Sequence, residues 1–369
     1  MPENKTTEKY EYVLGALFLV LMLGSFITQK IYAVVSVYET LIMFAALVVV
    51  CVMLTVKDRE KYLRIDGAAV LCVIAAVIAP LNLIILHSGM GAVLIIFDLV
   101  LSLFLIIRGT GLSGWMKRAL AFSGAALMLV WYPVVRWDYG FNMVGLIFII
   151  LMIFGKIFME YLKNDMDLQY LKYVQILFFF TSILLAVCYQ ARSAALSMVV
   201  FGISYFAVPL IIKKRVFYNV WIFLFTAGSL IFTGLYVFLS TTGWNVRLLY
   251  KDVLSGRELI WSELWQEFIK RPLTGIGSSY EMKRFFIFEV HNGLLDILVV
   301  HGLPVFICIA TLLVMALNRL FSRDLLFCPD KRLAFSGICT LLFASFFENG
   351  FIVTPYSCVF LVLMLICVS

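Results

Sequence analysis

The sequence predicts an all-α integral membrane protein with about twelve transmembrane helices and one large extracytoplasmic loop that carries short amphipathic helices. The first observation is composition: of 369 residues, 63% are hydrophobic and only 14% are charged, and the mean hydropathy is +1.04. A soluble domain carries about 25% charged residues, so a secreted or cytosolic protein is excluded. The other two observations are the lengths of the apolar runs and the distribution of basic residues between them.

Twelve apolar runs are long enough to cross about 30 Å of hydrocarbon. The first run is too long for a signal-peptide core and lacks a small-residue cleavage site, so it is expected to be an uncleaved span. Short connections leave no room for a second domain, and residues 1–369 are expected to form one polytopic membrane domain. The runs cover residues 12–28, 31–56, 66–86, 90–107, 117–135, 141–162, 171–190, 193–212, 219–240, 304–321, 331–347 and 351–368.

The basic residues predict the orientation of these spans. With the N-terminus inside, nineteen of the 29 basic residues fall in cytoplasmic segments, whereas the short outer turns hold only Lys30, Arg136 and Arg192. This contrast is the positive-inside pattern. Both termini are therefore predicted to be cytoplasmic.

The remaining seven basic residues lie in residues 241–303, which this topology places outside the cytoplasm. The segment is far longer than any other connection, and long loops of this kind are usually functional. All three histidines, His87, His291 and His301, also fall on the outer side. Titratable chemistry is therefore expected on the extracytoplasmic face.

The outer loop contains the pattern of an amphipathic helix. Ser255 and Glu258 are spaced as a capping box, and Pro272 is expected to end the helix. At about 15 residues the helix cannot span a bilayer, so it should lie on the membrane surface or pack over the bundle. Arg257 points along the centre of the apolar stripe and needs an anion or a water-filled pocket. The stripe consists of Trp261, Leu264, Trp265, Phe268 and Ile269.

A glycine-rich turn follows, in which the backbone amides around Gly275 and Gly277 are expected to converge on an oxyanion. Residues 289–301 are then predicted to form a short helix, with His291 near the outer membrane surface. The sequence Gly302-Leu303-Pro304 predicts a break before the next span begins with proline in its first turn.

These motifs together resemble the signature of the O-antigen ligase and O-antigen polymerase (Wzy) family, in order and in spacing. The resemblance extends to a Ser-Arg-rich turn at 190–194 and to Glu348 near the last outer turn, although Ala191 stands where serine is common and Pro304 where glycine is common. It covers the C-terminal half, and the first 185 residues add only span count and topology. The motifs are Ser255-Gly256-Arg257 with Trp261, Arg271-Pro272-Leu273-Thr274-Gly275-Ile276-Gly277, His291-Asn292 and Gly302-Leu303-Pro304.

The resemblance implies a glycosyltransferase of the cytoplasmic (inner) membrane that needs neither metal nor cofactor. Its donor would be an undecaprenyl-diphosphate-linked saccharide, used on the extracytoplasmic face. The other expected partners are a saccharide acceptor, the lipid bilayer, and a chain-length regulator or other polysaccharide-assembly proteins. Nucleic acid is not an expected partner.

Residue chemistry agrees with this implication and assigns roles. Negative charge gathers on the diphosphate in the transition state, so Arg192 and Arg257 are predicted to hold its oxygens in their planar forks. An imidazole titrates near pH ~6.5, so His291 is predicted to accept the proton of the acceptor hydroxyl. The alternatives are interfacial anchoring for either arginine and a capping or surface role for His291. Arg136 could instead pair with Asp138 and close a turn, and Glu348 could cap or pair with a basic loop residue. The predicted substrate contacts are Arg136, Arg271, Gly275, Gly277, Asn292 and Glu348.

Several other polar residues have less specific interpretations. Glu39 and Asp98 are costly in a bilayer and should face the bundle interior, without an assigned role. His87 and His301 are interpreted as structural. A basic rim that attracts anionic substrate is predicted from Arg247, Lys251, Arg271, Lys283 and Arg284.

The leading functional hypothesis is a polymerase that joins lipid-linked oligosaccharide repeat units into an O-antigen, capsule or exopolysaccharide. A ligase that moves the finished polymer to another acceptor uses the same donor site, so the sequence leaves the acceptor open. A flippase for lipid-linked saccharide can also have twelve spans and a cationic cavity. It is expected to show paired halves and has no need of the long outer loop.

Overall fold

The computed structural model describes residues 8–26, 29–86, 88–134, 141–243, 247–248, 251–252, 256–283 and 290–369. Within these ranges the chain is a helical bundle, and two short strands, β1 (Arg247–Leu248) and β2 (Lys251–Asp252), pair antiparallel. The helices are α1 (Lys9–Phe26), α2 (Gln29–Val35), α3 (Glu39–Lys57), α4 (Arg59–Tyr62), α5 (Gly67–Leu86), α6 (Met90–Ile107), α7 (Gly114–Val134), α8 (Phe141–Asp165), α9 (Leu171–Cys188), α10 (Arg192–Ile211), α11 (Arg215–Phe225), α12 (Ala227–Thr241), α13 (Arg257–Lys270), α14 (Gly293–Arg319), α15 (Asp324–Phe327), α16 (Pro329–Ala344) and α17 (Tyr356–Val368).

Each of the twelve predicted apolar runs coincides with one or two of these helices. Among the described residues, eight helices are long and apolar enough to cross a membrane, and the pair α11 and α12, bent by 46°, adds a ninth. The other three runs correspond to α7, α16 and α17. The helical architecture with membrane-length apolar helices agrees with the predicted fold class, whereas the count of twelve spans stays a prediction.

Helix α17 lies at the centre of the bundle. Its side chains from Tyr356 to Cys367 are all buried, and it packs against α1, α6 and α16. A helix that is apolar all round is typical of a fully buried element. By contrast, only 18% of the residues in the apolar window of α5 and 17% of those in the window of α9 are buried, as expected of lipid-facing helices.

The connections separate into two ends of the bundle. At the end that we call the basic end, Lys57 pairs with Glu8 at 2.5 Å and Arg118 pairs with Asp165 at 2.9 Å. At the opposite end, which we call the loop end, the Ser278 hydroxyl meets the connection between α5 and α6. Segments predicted to be cytoplasmic therefore share one end. A cavity of about 920 Å³ at the basic end is lined by residues that include Tyr10, Lys61, Gly111, Lys117, Asp330 and Ser369.

This separation gives a direct test of sidedness. Ser279 is exposed at the loop end and Asn164 is exposed at the basic end. A membrane-impermeant maleimide applied to intact cells should label the Ser279→Cys variant. The same reagent should label the Asn164→Cys variant only after the cells are permeabilised. The wild-type protein measures background labelling of native cysteines. Reversed accessibility would overturn the predicted orientation.

The amphipathic helix predicted in the outer loop is α13. Trp261 and the apolar residues three and seven positions later are buried, and α13 contacts α12 and α14, so the helix packs over the bundle. Trp265 and Ile269 remain 47% and 59% exposed, so the buried stripe is narrower than the sequence predicts. The helix begins after Gly256, and Ser255 of the predicted capping box lies outside the described residues.

The break predicted at Gly302 is present inside α14. Gly302 has a φ of 83° and a ψ of 169°, which are not helical values. A Cβ at this position would overlap the carbonyl oxygen of Leu273, so the close approach requires glycine. Across the break, the Leu303 amide donates to the Pro272 carbonyl at 2.8 Å. Residues 293–301 thus form a short helical segment at the loop end, docked on the turn that follows α13.

Candidate functional site

The main chain around His291 is fixed by contacts on both of its sides. The indole Nε1 of buried Trp261 donates a hydrogen bond to the Val290 carbonyl at 2.7 Å. On the other side, the Asn292 Oδ1 accepts from the Leu295 amide at 3.0 Å and caps α14. Helix α13 therefore holds the segment that presents His291.

Asn292 also joins this segment to two other helices. Its Nδ2 donates to the Ser229 hydroxyl at 2.9 Å and to the Phe346 carbonyl at 3.2 Å. The Gly293 amide donates to the Ser345 carbonyl at 3.1 Å. Because Asn292 is fully buried and both atoms of its amide are engaged within the protein, it acts as a cap and a brace. The substrate contact that was predicted for it stays a prediction.

His291 has a left-handed backbone conformation, with a φ of 53°. Gln190, two residues before Arg192, has a φ of 58°. Such positions in non-glycine residues cost about 1–3 kcal/mol and cluster at functional sites. Both lie in segments that the sequence singled out, while Asp167, with a φ of 51°, lies in the loop between α8 and α9.

Three of the predicted site residues meet at the loop end. Glu348 Oε1 accepts a hydrogen bond from Arg257 Nη2 at 2.5 Å, and Glu348 Oε2 lies 3.1 Å from His291 Nδ1. Their side chains are 11–22% exposed. We call Arg257, Glu348 and His291 the site cluster. The anion that the sequence predicted for Arg257 is thus the carboxylate of Glu348.

The site cluster has the arrangement of a base oriented by a carboxylate. When His291 Nδ1 carries the ring proton it donates to Glu348, and the lone pair then lies on Nε2. An imidazole held in this way can take a proton from a hydroxyl group. Glu348 also holds Arg257 next to the imidazole, so its carboxylate can position both side chains, while its predicted substrate contact stays a prediction.

Arg192 lies at the same end of the bundle as the site cluster. It is the first residue of α10, which packs along α16. Arg332, near the start of α16, stacks on Tyr205, in the second half of α10, at 5.4 Å from the ring centroid. The two helices therefore run antiparallel. The start of α10 lies beside the C-terminal end of α16, from which the chain continues to Glu348. A diphosphate contact by Arg192 stays a prediction.

The amides of the glycine-rich turn donate hydrogen bonds within the fold, and the oxyanion contact predicted there stays a prediction. The Gly277 amide donates to the Val300 carbonyl at 3.1 Å, and the amide between the two glycines donates to Val299 at 2.8 Å. The Gly275 amide donates within its own turn at 2.9 Å. The break at Gly302 leaves these α14 carbonyls without helical partners, and the turn supplies the donors.

Two further predicted residues, Arg271 and Lys283, lie at the rim of the loop end. Arg271 is exposed at the C-cap of α13. Lys283 pairs with Glu267 at 2.9 Å, so this member of the predicted basic rim is partly neutralised. Hydrogen bonds from Lys270 and Lys283 hold the pKa of the Glu267 carboxyl below its ordinary value. The predicted residues outside the described ranges are Arg136, His87 and Arg284.

Two cavities flank the site cluster. The first, which we call the polar pocket, has a volume of about 280 Å³ and is lined by Val290 and Asn349, the chain neighbours of His291 and Glu348. The second, which we call the apolar groove, has a volume of about 510 Å³ and lies between the bent pair α11–α12 and α14. Its lining includes Leu294, close in sequence to His291.

The sequence did not single out Asp296 and Asn349, two polar residues of the polar pocket. Asp296 lies in the first turn of α14, where an acidic residue is ordinarily explained by the helix dipole. Asn349 lies in a turn, where asparagine is common for conformational reasons. The only available signal was a carboxyl group within an otherwise apolar segment.

Comparisons of the chain with protein-family models, with curated proteins and with solved structures found no match. The resemblance to the ligase and polymerase family therefore stays a prediction from the motifs. Function is accordingly argued below from the site cluster, the two cavities and the chemistry that they allow.

Proposed function

We propose that the protein is a membrane glycosyltransferase that polymerises undecaprenyl-diphosphate-linked repeat units into a surface polysaccharide. The observation that carries this proposal is the site cluster, in which Arg257, Glu348 and His291 converge from three separate segments. A hydroxyl that attacks a diphosphate-activated sugar needs a proton acceptor beside a fixed cation. Under the predicted topology, the site faces the outside of the cytoplasmic membrane.

In the proposed reaction, an acceptor hydroxyl attacks the anomeric carbon of the donor saccharide. His291 Nε2 takes the hydroxyl proton, and Glu348 stabilises the imidazolium that forms. The anomeric C–O bond breaks, and its electron pair leaves with the lipid diphosphate. Arg257 and Arg192 stabilise the charge that gathers there. A guanidinium has five N–H donors, so Arg257 can bind diphosphate while it keeps its contact with Glu348.

The apolar groove supports a lipid-linked substrate. Its lining is mostly aliphatic and aromatic, and it extends along α14 from Leu294 to Asn318. Leu294 follows the site cluster closely in sequence, so a polyprenyl chain in the groove would keep its diphosphate near Arg257. Burial of each methylene of such a chain contributes about 0.8 kcal/mol.

The test of this proposal is deletion of the gene followed by extraction of lipid-linked saccharides. We expect surface polymer to disappear and a single lipid-linked repeat unit to accumulate, accessible from outside the cytoplasmic membrane. Restoring the wild-type gene should reverse both changes. Accumulation of lipid-linked polymer would indicate the ligase, and a repeat unit confined to the inner face would indicate the flippase.

Lysine substitution tests the role of the arginines, because lysine keeps the charge but loses the planar fork. We expect Arg257→Lys and Arg192→Lys each to lower polymer output about tenfold to a hundredfold at normal protein level. Arg323→Lys, an exposed position in the loop before α15, is the matched control and should keep normal output. Normal output from both site variants would reassign these arginines to membrane anchoring.

A further inference from the structure

The polar pocket combines polar and aliphatic surface directly beside the site cluster. Its polar lining consists of Ser278, Asp296, His301 and Asn349, and aliphatic side chains from α6, from α14 and from the segments before α14 and α17 form the rest of its wall. Val290 and Asn349 line this pocket, and each is the chain neighbour of a residue in the site cluster. A group bound in the pocket therefore lies next to the proposed base.

Asp296 and Asn349 give the polar pocket an unsatisfied acceptor. The Asn349 Nδ2 donates to Asp296 Oδ2 at 3.0 Å. The Asn349 Oδ1 is buried and has no hydrogen-bond partner among the residues that the structure describes. A buried acceptor without a donor is destabilising, and a ligand that supplies an O–H group would satisfy it.

The lining chemistry selects the kind of ligand. No lysine or arginine is among the described residues that line the pocket, and the carboxyl group of Asp296 disfavours a phosphate. A polyprenyl chain would leave the buried polar groups without partners. A sugar ring fits both surfaces, because its hydroxyls donate to the acceptors and its C–H face packs on the aliphatic wall.

We infer that the polar pocket binds an uncharged sugar ring of the lipid-linked substrate, with Asp296 and Asn349 as the residues that determine its specificity. This inference rests on the proposed function. A site built to hydrogen-bond a hydroxyl rejects analogues that lack it, so Asp296 and Asn349 would decide which saccharides are accepted. The sugar belongs either to the donor or to the acceptor, and the two cases differ in the experiment below.

The experiment compares two ligands on purified protein in nanodiscs: undecaprenyl diphosphate without sugar, and the lipid-linked repeat unit extracted from cells that lack this gene. We expect the wild type to bind the sugar-bearing lipid about tenfold to a hundredfold more tightly than the bare lipid. Asp296→Asn and Asn349→Ala should lose most of this difference and keep wild-type affinity for the bare lipid. Asp324→Asn, at the first residue of α15, is the control and should keep the difference.

The outcomes separate this inference from the proposed function. If neither lipid binds to the wild type, the proposed function fails and the inference fails with it. If both lipids bind but the difference is absent in the wild type, or survives in Asp296→Asn and Asn349→Ala, only the sugar pocket is wrong. Retained affinity for the bare lipid shows that the variants are folded.

Turnover assays then identify which sugar the pocket holds. The donor is undecaprenyl-linked polymer, and the acceptor is a repeat unit on a short prenyl diphosphate. In Asp296→Asn the KM should rise about tenfold for one of these two substrates, with kcat changed less than about threefold. The substrate whose KM rises is the one whose sugar occupies the pocket. An unchanged KM for both would overturn the inference.

Discussion

Replacement of His291 by alanine should lower turnover by about two to four orders of magnitude, the usual contribution of a general base. Binding of the lipid-linked donor should remain nearly intact, because the proposed diphosphate contacts belong to Arg257 and Arg192. Loss of a proton acceptor affects the transition state more than the ground state. The measurement is donor binding and product formation by the purified variant in nanodiscs.

The left-handed backbone at His291 calls for a second variant. Asparagine tolerates this conformation better than alanine does. His291→Asn therefore removes the base with less backbone strain and should lose as much turnover as His291→Ala. Full activity in either variant would contradict the base assignment. Loss of donor binding with normal turnover of the bound fraction would instead move His291 into the diphosphate site.

Replacement of Glu348 by glutamine should lower turnover by about two to three orders of magnitude, although glutamine keeps the size of the side chain. The neutral amide no longer stabilises the imidazolium of His291. It also replaces the ion pair with Arg257 by a weaker hydrogen bond. Groups that act as one unit are not additive. Turnover of the double variant His291→Asn with Glu348→Gln should therefore be at most about threefold slower than turnover of His291→Asn alone.

Glu281→Gln is the matched control for Glu348→Gln. Glu281 is an exposed acidic residue in the same outer loop, so its replacement removes one negative charge without touching the site cluster. We expect normal turnover from this control. Effects of His291→Asn and Glu348→Gln that multiply fully in the double variant would contradict a shared role, because independent residues contribute additive free energies.

The elements with strong local signals could be predicted from the sequence. The helical spacing after Arg257 and the stop at Pro272 agree with α13, and Gly302 breaks α14 as expected. Helical periodicity, proline and glycine act through neighbouring residues, so their consequences can be derived without knowledge of the tertiary fold.

The contact partners of the site residues could not be predicted in the same way. Glu348 lies 57 residues from His291 and 91 residues from Arg257 in the chain. The packing of 345–346 against 292–293 and the Trp261–Val290 hydrogen bond bring the three together. The sequence marked each of them as a candidate but gave no distance between them. It therefore left Glu348 between a substrate contact and a pair with a basic loop residue, and in the structure its carboxylate contacts both Arg257 and His291.

The glycine-rich turn shows how far a local pattern can be interpreted. Gly275 and Gly277 do have positive φ values, as an anion-binding turn would require. The amides of Ile276 and Gly277 nevertheless donate to Val299 and Val300, whose carbonyls are left without helical partners by the break at Gly302, and the Gly275 amide donates within its own turn. A sequence pattern reveals the conformational freedom of such a turn, but the tertiary fold decides which acceptor its amides meet.

Saccharide transfer by the purified protein tests the central claim most directly. Protein in nanodiscs, supplied with undecaprenyl-diphosphate-linked repeat units in the presence of EDTA, should convert single units into a ladder of lipid-linked oligomers. The variants His291→Asn and Glu348→Gln should leave the units almost entirely unconverted under the same conditions. Absence of any ladder from the wild type, its loss only when EDTA is added, or an equal ladder from the two variants would contradict a metal-independent transferase that works through the site cluster.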